Sequence, residues 1–378
     1  MEGQGPVQAL QQVLERAVAG RVPDVHVEPD EAGWRVQFRR EGRLWRVTTW
    51  NGRMGQEIVR RVKLLSRMDI AEKRIPQDGQ LQLPVGGNVC HMRVATLPTV
   101  KGERLVIRIH HVRTGEDPSE SDFGDDPVWR RWLAWTESAH GLLLIAGPTG
   151  SGKTTSLYRV VRRWAAEHRC VVTLEDPVEQ HVEGVHQVEV QTGRGWTYRR
   201  LLPACLRQDP NAVAIGEIRD EDAARAAVQA ALAGCLVVAT VHGAGPAEVW
   251  SRFRQWGVPE GELESTLLAI LSQRLVGRLC SHCRRRSGTV RGSGGQAGFA
   301  WTAIGCDACQ GRGIAGVLPL FHLSEQGRDR PWSISPDWEE SAWPRMIKGE
   351  LGEPWCESLV GGVASVSMAT ASVGAEEG

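Results

Sequence analysis

Lysine is scarce in this 378-residue chain: only five of its 45 basic residues are lysine, so each lysine position carries information. Charge of one sign is missing as well. The acidic residues also number 45, which argues against a chain-wide field for nucleic acid or for an anionic membrane surface. Long hydrophobic runs are absent, and apolar stretches such as Leu142 to Ala146 and Leu236 to Ala239 fall far short of a bilayer span. The first twenty residues hold no basic segment followed by an apolar one, so the expectation is a cytoplasmic protein.

One of the five lysines, Lys153, sits in Gly147-Pro148-Thr149-Gly150-Ser151-Gly152-Lys153-Thr154-Thr155. The apolar run Gly141 to Ala146 precedes it, and a helical pattern from Thr154 to about His168 follows. Strand, glycine-rich loop and helix in that order are the context a P-loop requires. Backbone N–H groups of such a loop wrap phosphates, the Lys153 ammonium supplies a compact charge, and the Thr154 hydroxyl is offered to Mg²⁺. ATP and Mg²⁺ are the expected ligands.

Three further apolar strands each leave a polar group at the carboxyl end. Cys170 to Leu174 runs into Glu175 and Asp176, Ala212 to Ile215 into Glu217, and Cys235 to Val241 into His242. Helical patterns at Trp196 to Arg207 and Asp222 to Leu232 lie between them. Such alternation predicts a parallel sheet that binds its ligand at the carboxyl edge. Any one of these groups could be an ordinary strand terminus, whereas three on the P-loop's own edge point to a site. Glu217 is then placed to polarise an attacking water, Glu175 and Asp176 to hold Mg²⁺ directly or through its waters, and His242 to sense the γ-phosphate. The expected fold class is α/β, with a RecA-like P-loop ATPase domain over residues 132–323.

Residues 1–112 read as a small α+β (PAS-like) domain, with helices at Val7 to Val18 and Gly55 to Ser66 and strands between and after them. An acidic, turn-rich stretch makes residues 113–131 a linker. Arg93 and Arg108 fall on the last strands of the first domain, where an arginine taken alone is a solvated face or a surface ion pair. Cys280, Cys283, Cys306 and Cys309 form two C-x-x-C pairs, and four thiolates suit a tetrahedral structural Zn²⁺ over residues 280–309. A redox pair and unliganded thiols are the alternatives. Residues 324–378 show no clear periodicity and are expected to be a divergent tail.

Gly147 to Tyr158, Thr173 to Glu179, Leu206 to Pro210 with Gly216 to Asp220, and Ala239 to His242 together resemble the type II secretion and type IV pilus assembly ATPases in order and spacing. Pro23 to Pro29, Arg74 to Gly79, Arg93 to Pro98 and Gly102 to Arg104 are similar to that family's second N-terminal domain. The resemblance covers about residues 7–318. It implies a homohexameric motor, peripheral at the cytoplasmic membrane, that hydrolyses ATP, docks on a polytopic inner-membrane platform protein and drives assembly of a pilus or pseudopilus. Membrane contact would come only through that partner, with no direct nucleic acid. The same resemblance implies that domain closure brings Arg93 and Arg108 to the nucleotide's phosphates, and that the tetracysteine insertion supports docking to the platform. A start close to the second N-terminal domain is most similar to the competence pseudopilus ATPases of Gram-positive bacteria, which drive DNA uptake. Departures occur at Ala233-Gly234-Cys235 and Gly243-Ala244-Gly245, where the family carries Thr-Gly-His and a Thr-Asn pair, so His242 is left to act alone. A nucleic-acid translocase and a non-hydrolysing ATP-binding scaffold are the alternatives.

Overall fold

Alternation along Trp34-Arg35-Val36-Gln37-Phe38 buries Trp34, Val36 and Phe38 and leaves the residues between them partly wet, the pattern of a strand with one covered face. The computed structural model describes residues 5–20, 22–31, 33–40, 43–110, 123–291, 297–309, 311–327 and 337–352. Its contacts divide the chain into two units between Asp117 and Pro118, and each has its own core.

The first unit runs α1 (Pro6–Ala19), β1 (Asp24–Asp30), β2 (Gly33–Arg40), β3 (Arg43–Trp50), α2 (Gly52–Leu65), β4 (Gln77–Val85), β5 (Asn88–Thr99) and β6 (Gly102–His110). Its strands form one antiparallel sheet in the order β3-β2-β1-β6-β5-β4. Leu10 and Leu14 of α1 and Ile58 and Val62 of α2 share one core with Val27, Val36, Met92 and Ile107 of the sheet. Asn51 starts α2 by accepting from the Met54 N–H at 2.8 Å.

The second unit contains α3 (Pro127–Trp135), β7 (Gly141–Gly147), α4 (Lys153–Ala166), β8 (Val171–Glu175), β9 (Val185–Glu189), α5 (Tyr198–Leu206), β10 (Ala212–Ile218), α6 (Glu221–Leu232) and β11 (Leu236–His242). It continues through α7 (Pro246–Gln255), α8 (Glu260–Thr266), β12 (Leu267–Leu279), β13 (Arg284–Arg291), β14 (Ala297–Ala303), β15 (Ile314–Glu325) and α9 (Glu339–Ile347). Seven strands make a sheet in the order β15-β12-β7-β11-β10-β8-β9, with every pair parallel except β12 and β15. The all-apolar strands follow from burial on both faces. Leu142, Leu144 and Ala146 of β7 pack with the alanines of α6 and Phe253 of α7, while Leu143 and Ile145 pack with Leu157, Val161 and Trp164 of α4.

Three features go beyond the composition. Of the acidic linker, residues 113–122 lie outside the described residues, and by Phe123 the chain is already core, with its ring 4.8 Å from that of Trp129. Asp126 looks like a linker residue but is the N-cap of α3, accepting from the N–H groups of Val128 and Trp129. Within the divergent tail, α9 packs Ala342 and Met346 against Val276, Leu318 and Leu320 of the β12–β15 ribbon. Residues 353–378 lie outside the described residues. Among the described residues no helix is long and apolar enough to cross a membrane.

Candidate functional site

The carboxyl ends of β7, β8, β10 and β11 share one edge of the second unit's sheet, as parallel register requires, and the P-loop springs from it. Two glycines of the loop are fixed by close approach and conformation. A Cβ on Gly147 would stand 2.5 Å from the Gln273 carbonyl oxygen and from Ser151 Oγ, and Gly152 has φ +85° where it begins α4. No side chain caps the start of α4, so its first N–H groups face the loop, the ordinary anion site of a helix N-terminus. Among the described residues Ser151 Oγ is buried without a partner in the same cradle. The Lys153 ammonium arches over the loop, donating to the carbonyls of Gly147 at 2.9 Å and Pro148 at 3.1 Å. Burial draws its pKa below that of an ordinary lysine, and the negative charge of Glu217 opposes the shift. These features fit a polyphosphate. The half-buried Thr154 hydroxyl, on the first turn of α4, and the Asp176 carboxylate are oxygen donors of the kind Mg²⁺ takes.

Glu217 lies where β10 breaks register against β11, between Ile215 and Ile218, a bulge of the kind that re-aims a side chain. Its carboxylate accepts from Arg219 Nε at 2.6 Å, and Arg219 also stands 3.9 Å from Asp176. Lys153, Glu217, Arg219 and Asp176 thus form one polar group at the mouth of the loop. His242 pairs in register with Gly147. Its Nδ1 lies 3.4 Å from Arg252 Nη2, and a guanidinium can only donate, so the neutral ring carries its proton on Nε2. Arg252 is itself held by Glu248 at 2.8 Å.

Glu175 is placed differently from Asp176. It is 4% exposed, one carboxylate oxygen accepts from the Tyr158 hydroxyl, and the other accepts from Thr173 Oγ1 at 2.6 Å and Gln187 Nε2 at 3.0 Å. Every one of its partners is thus supplied by the chain's own interior. Arg93 and Arg108 belong to the first unit, where they face each other across β5 and β6, and Arg108 Nε donates to Asp24 at 2.8 Å.

Sequence reasoning passed over two residues. Arg219 was in view within Gly216 to Asp220, but nothing in the spacing says that it holds Glu217. Gln273 of β12 is 1% exposed, donates to the Ser151 carbonyl at 2.7 Å and accepts from Ser156 Oγ at 2.7 Å, which braces the loop from beneath. A lone glutamine in an apolar strand was the only signal for it.

The four cysteines converge. Their sulfurs all lie within 4.8 Å of one another, with Cys280–Cys306 and Cys283–Cys309 separations of 3.9 Å and a Cys306–Cys309 separation of 3.8 Å. A tetrahedron with metal–sulfur bonds of about 2.3 Å has edges of about 3.8 Å, so the donor set fits Zn²⁺. N–H groups of Cys306 and Gly313 point at Cys309 Sγ and hold its thiol down to about 6.

A model of the family described as Type II/IV secretion system protein matches residues 1–351. The type II secretion system protein HxcR of Pseudomonas aeruginosa is 38% identical over 364 residues, 94% of this chain and 76% of that protein. Type II secretion system protein E of Klebsiella pneumoniae is 37% identical over 323 residues, 84% of this chain and 65% of that protein. Among solved structures, the ATPase DotB of Legionella pneumophila matches with a TM-score of 0.58 at 18% identity, over 93% of this chain and 90% of that one, which shows a shared fold.

Proposed function

The chain belongs to the type II/IV secretion system protein family, and from that premise we propose that it is a Mg²⁺-dependent, ATP-hydrolysing homohexameric motor that docks on a polytopic membrane platform protein and drives assembly of a pilus or type II secretion pseudopilus. The observation that carries the reading is the group formed by Lys153, Glu217, Arg219 and Asp176 at the mouth of the loop that cradles Ser151 Oγ. Competence is the narrower form of the same reading, and a PAS-like origin of the first unit is part of it.

In this reading the loop N–H groups, Lys153 and Ser151 bind and orient the polyphosphate. Thr154 and Asp176 would hold Mg²⁺, which would supply positive charge against the charge that develops on the phosphate. Glu217 accepts a hydrogen bond from the attacking water and Arg219 holds that carboxylate in place. The His242 Nε2 proton donates toward the terminal phosphate. Arg93 and Arg108 are assigned to the same phosphates, supported by their position directly across from each other on two paired strands. The four-cysteine cluster is assigned a structural Zn²⁺ with no open coordination position and no part in the chemistry.

Replacing Glu217 with Gln tests this. Expected is a fall in ATP turnover of about a hundredfold or more, with nucleotide binding retained, as for loss of a group acting only in the transition state. Unchanged turnover would remove Glu217 from the mechanism. A hexameric parent with no turnover at all would favour an ATP-binding scaffold instead.

A further inference from the structure

Tyrosine occurs twice in this chain, against 15 tryptophans and 5 phenylalanines, and both phenol hydroxyls are spent on the acidic segments of the sheet edge. Tyr198 donates to the Glu217 carbonyl at 3.4 Å. Tyr158 is the better placed of the two. It lies five residues beyond Lys153 on the same helix, 2% exposed, about 7.5 Å further along the axis at 1.5 Å per residue. Its hydroxyl has three partners: it donates to Glu175 and accepts from the N–H groups of Glu179 at 3.1 Å and Gln180 at 3.0 Å. Helix α4 holds the same loop a second time through Arg162, whose guanidinium donates to Gln180 Oε1 at 2.6 Å. From the other side Gln187 donates to the Gln180 carbonyl and accepts from the Val182 N–H, both at 2.8 Å. The loop so held begins at Asp176, the partner of Arg219, which in turn grips Glu217.

We infer that Tyr158 is a positioning residue for hydrolysis. By tying the acidic loop at Glu179 and Gln180 to the helix that carries Lys153 and Thr154, it sets Asp176, and through Arg219 the Glu217 carboxylate, against the phosphate site. The inference rests on Glu217 orienting the water. One rigid element, the first turns of α4, thereby carries both the phosphate ligands and the anchor for the acids opposite them. Burial raises the phenol pKa, so the hydroxyl keeps its proton and remains a donor to the Glu175 carboxylate.

The test is Tyr158→Phe, which keeps the ring and removes only the hydroxyl. Expected is a kcat about tenfold lower with KM for ATP changed less than about twofold, the signature of a misplaced catalytic group. Amide exchange at Glu179 and Gln180 should accelerate, while that of β7 stays as in the parent. Adding Glu175→Gln removes the buried carboxylate that lost its donor. The double variant should regain thermal midpoint without regaining kcat or exchange protection. A kcat within about twofold of the parent, a KM that rises as kcat falls, or a kcat that recovers together with the midpoint would each overturn the inference. A parent that turned over no ATP would overturn the hydrolysis reading, and the exchange measurement would still decide whether the tyrosine holds the loop.

Discussion

At Gly147 a hydrogen atom separates a working loop from a blocked one. The Gln273 carbonyl belongs to a strand locked on both sides, with β7 on one edge and β15 on the other, so it cannot retreat from a methyl group 2.5 Å away. Gly147→Ala must push the loop outward instead. Overpacking of that kind costs about 1–3 kcal/mol, and displaced from the strand onto the cradle it should weaken nucleotide binding by roughly 5- to 150-fold. Titration with a fluorescent nucleotide reads this directly, and an affinity equal to the parent's would show that the loop is not closed by Gln273. As candidates, Lys153 and Glu217 were legible in the sequence through residue type and spacing. Gln273, Arg219 and Tyr158 were not, because what each does depends on which strand lies next to it. Glu175 illustrates the same limit. As a terminal acid it reads like Asp176, yet it is the last residue of a fully buried strand, and burial forces its oxygens onto interior donors.

At the scale of elements, strands buried on both faces announce themselves as unbroken apolar runs, which is why β7, β8, β10 and β11 and the helices between them were legible to within a few residues. The β12–β15 ribbon extends past the sheet with a wetter face, and α9 is short with a proline inside it, so neither leaves a clean period. The join between α3 and α9 runs through Asp126. One oxygen caps α3, the other accepts from Ser341 Oγ at 2.6 Å, and Ser341 in turn accepts from the Phe321 N–H at 3.0 Å. Burial raises the Asp126 pKa, so the folded state holds this proton more tightly than the unfolded chain does. The stabilising contribution is therefore complete below the ordinary carboxyl value and is lost as pH rises through the elevated one. Asp126→Asn keeps the capping oxygen and cannot titrate. The stability of the parent minus that of the variant, from urea unfolding at a series of pH values, should fall as pH rises out of the acid range and then level off. A difference that is flat, or that grows with pH, would mean that the carboxyl is not desolvated as described.

Across the whole molecule, three regions have separate cores: the first unit, the two-faced sheet that carries the P-loop, and the ribbon with its cysteines and α9. The last region is also tied to itself. The Leu279 N–H donates to the Glu350 carbonyl and Arg284 to the Gly349 carbonyl, both at 2.9 Å, so the turn after α9 is stapled to the residues flanking the first cysteine pair. Val290 of β13 and Ala300 of β14 pack with Ala342 and Met346 of α9 in one apolar core, and Cys280, Cys283 and Cys309 form a second buried cluster beside it that a metal would cross-link. Purified protein should then carry about one Zn per chain, and removing it by chelation or by Cys306→Ser should speed amide exchange in β13, β14 and α9 together. Exchange in β7 and α4, and affinity for nucleotide, should stay as in the parent, because neither core draws on the cysteines. Metal retention should also weaken as pH falls, because protons compete with the metal for the four thiolates. A chain that holds no metal, or one whose metal-free form keeps α9 as protected as before, would make the four thiols a packed cluster and leave the module to be ordered by its apolar core.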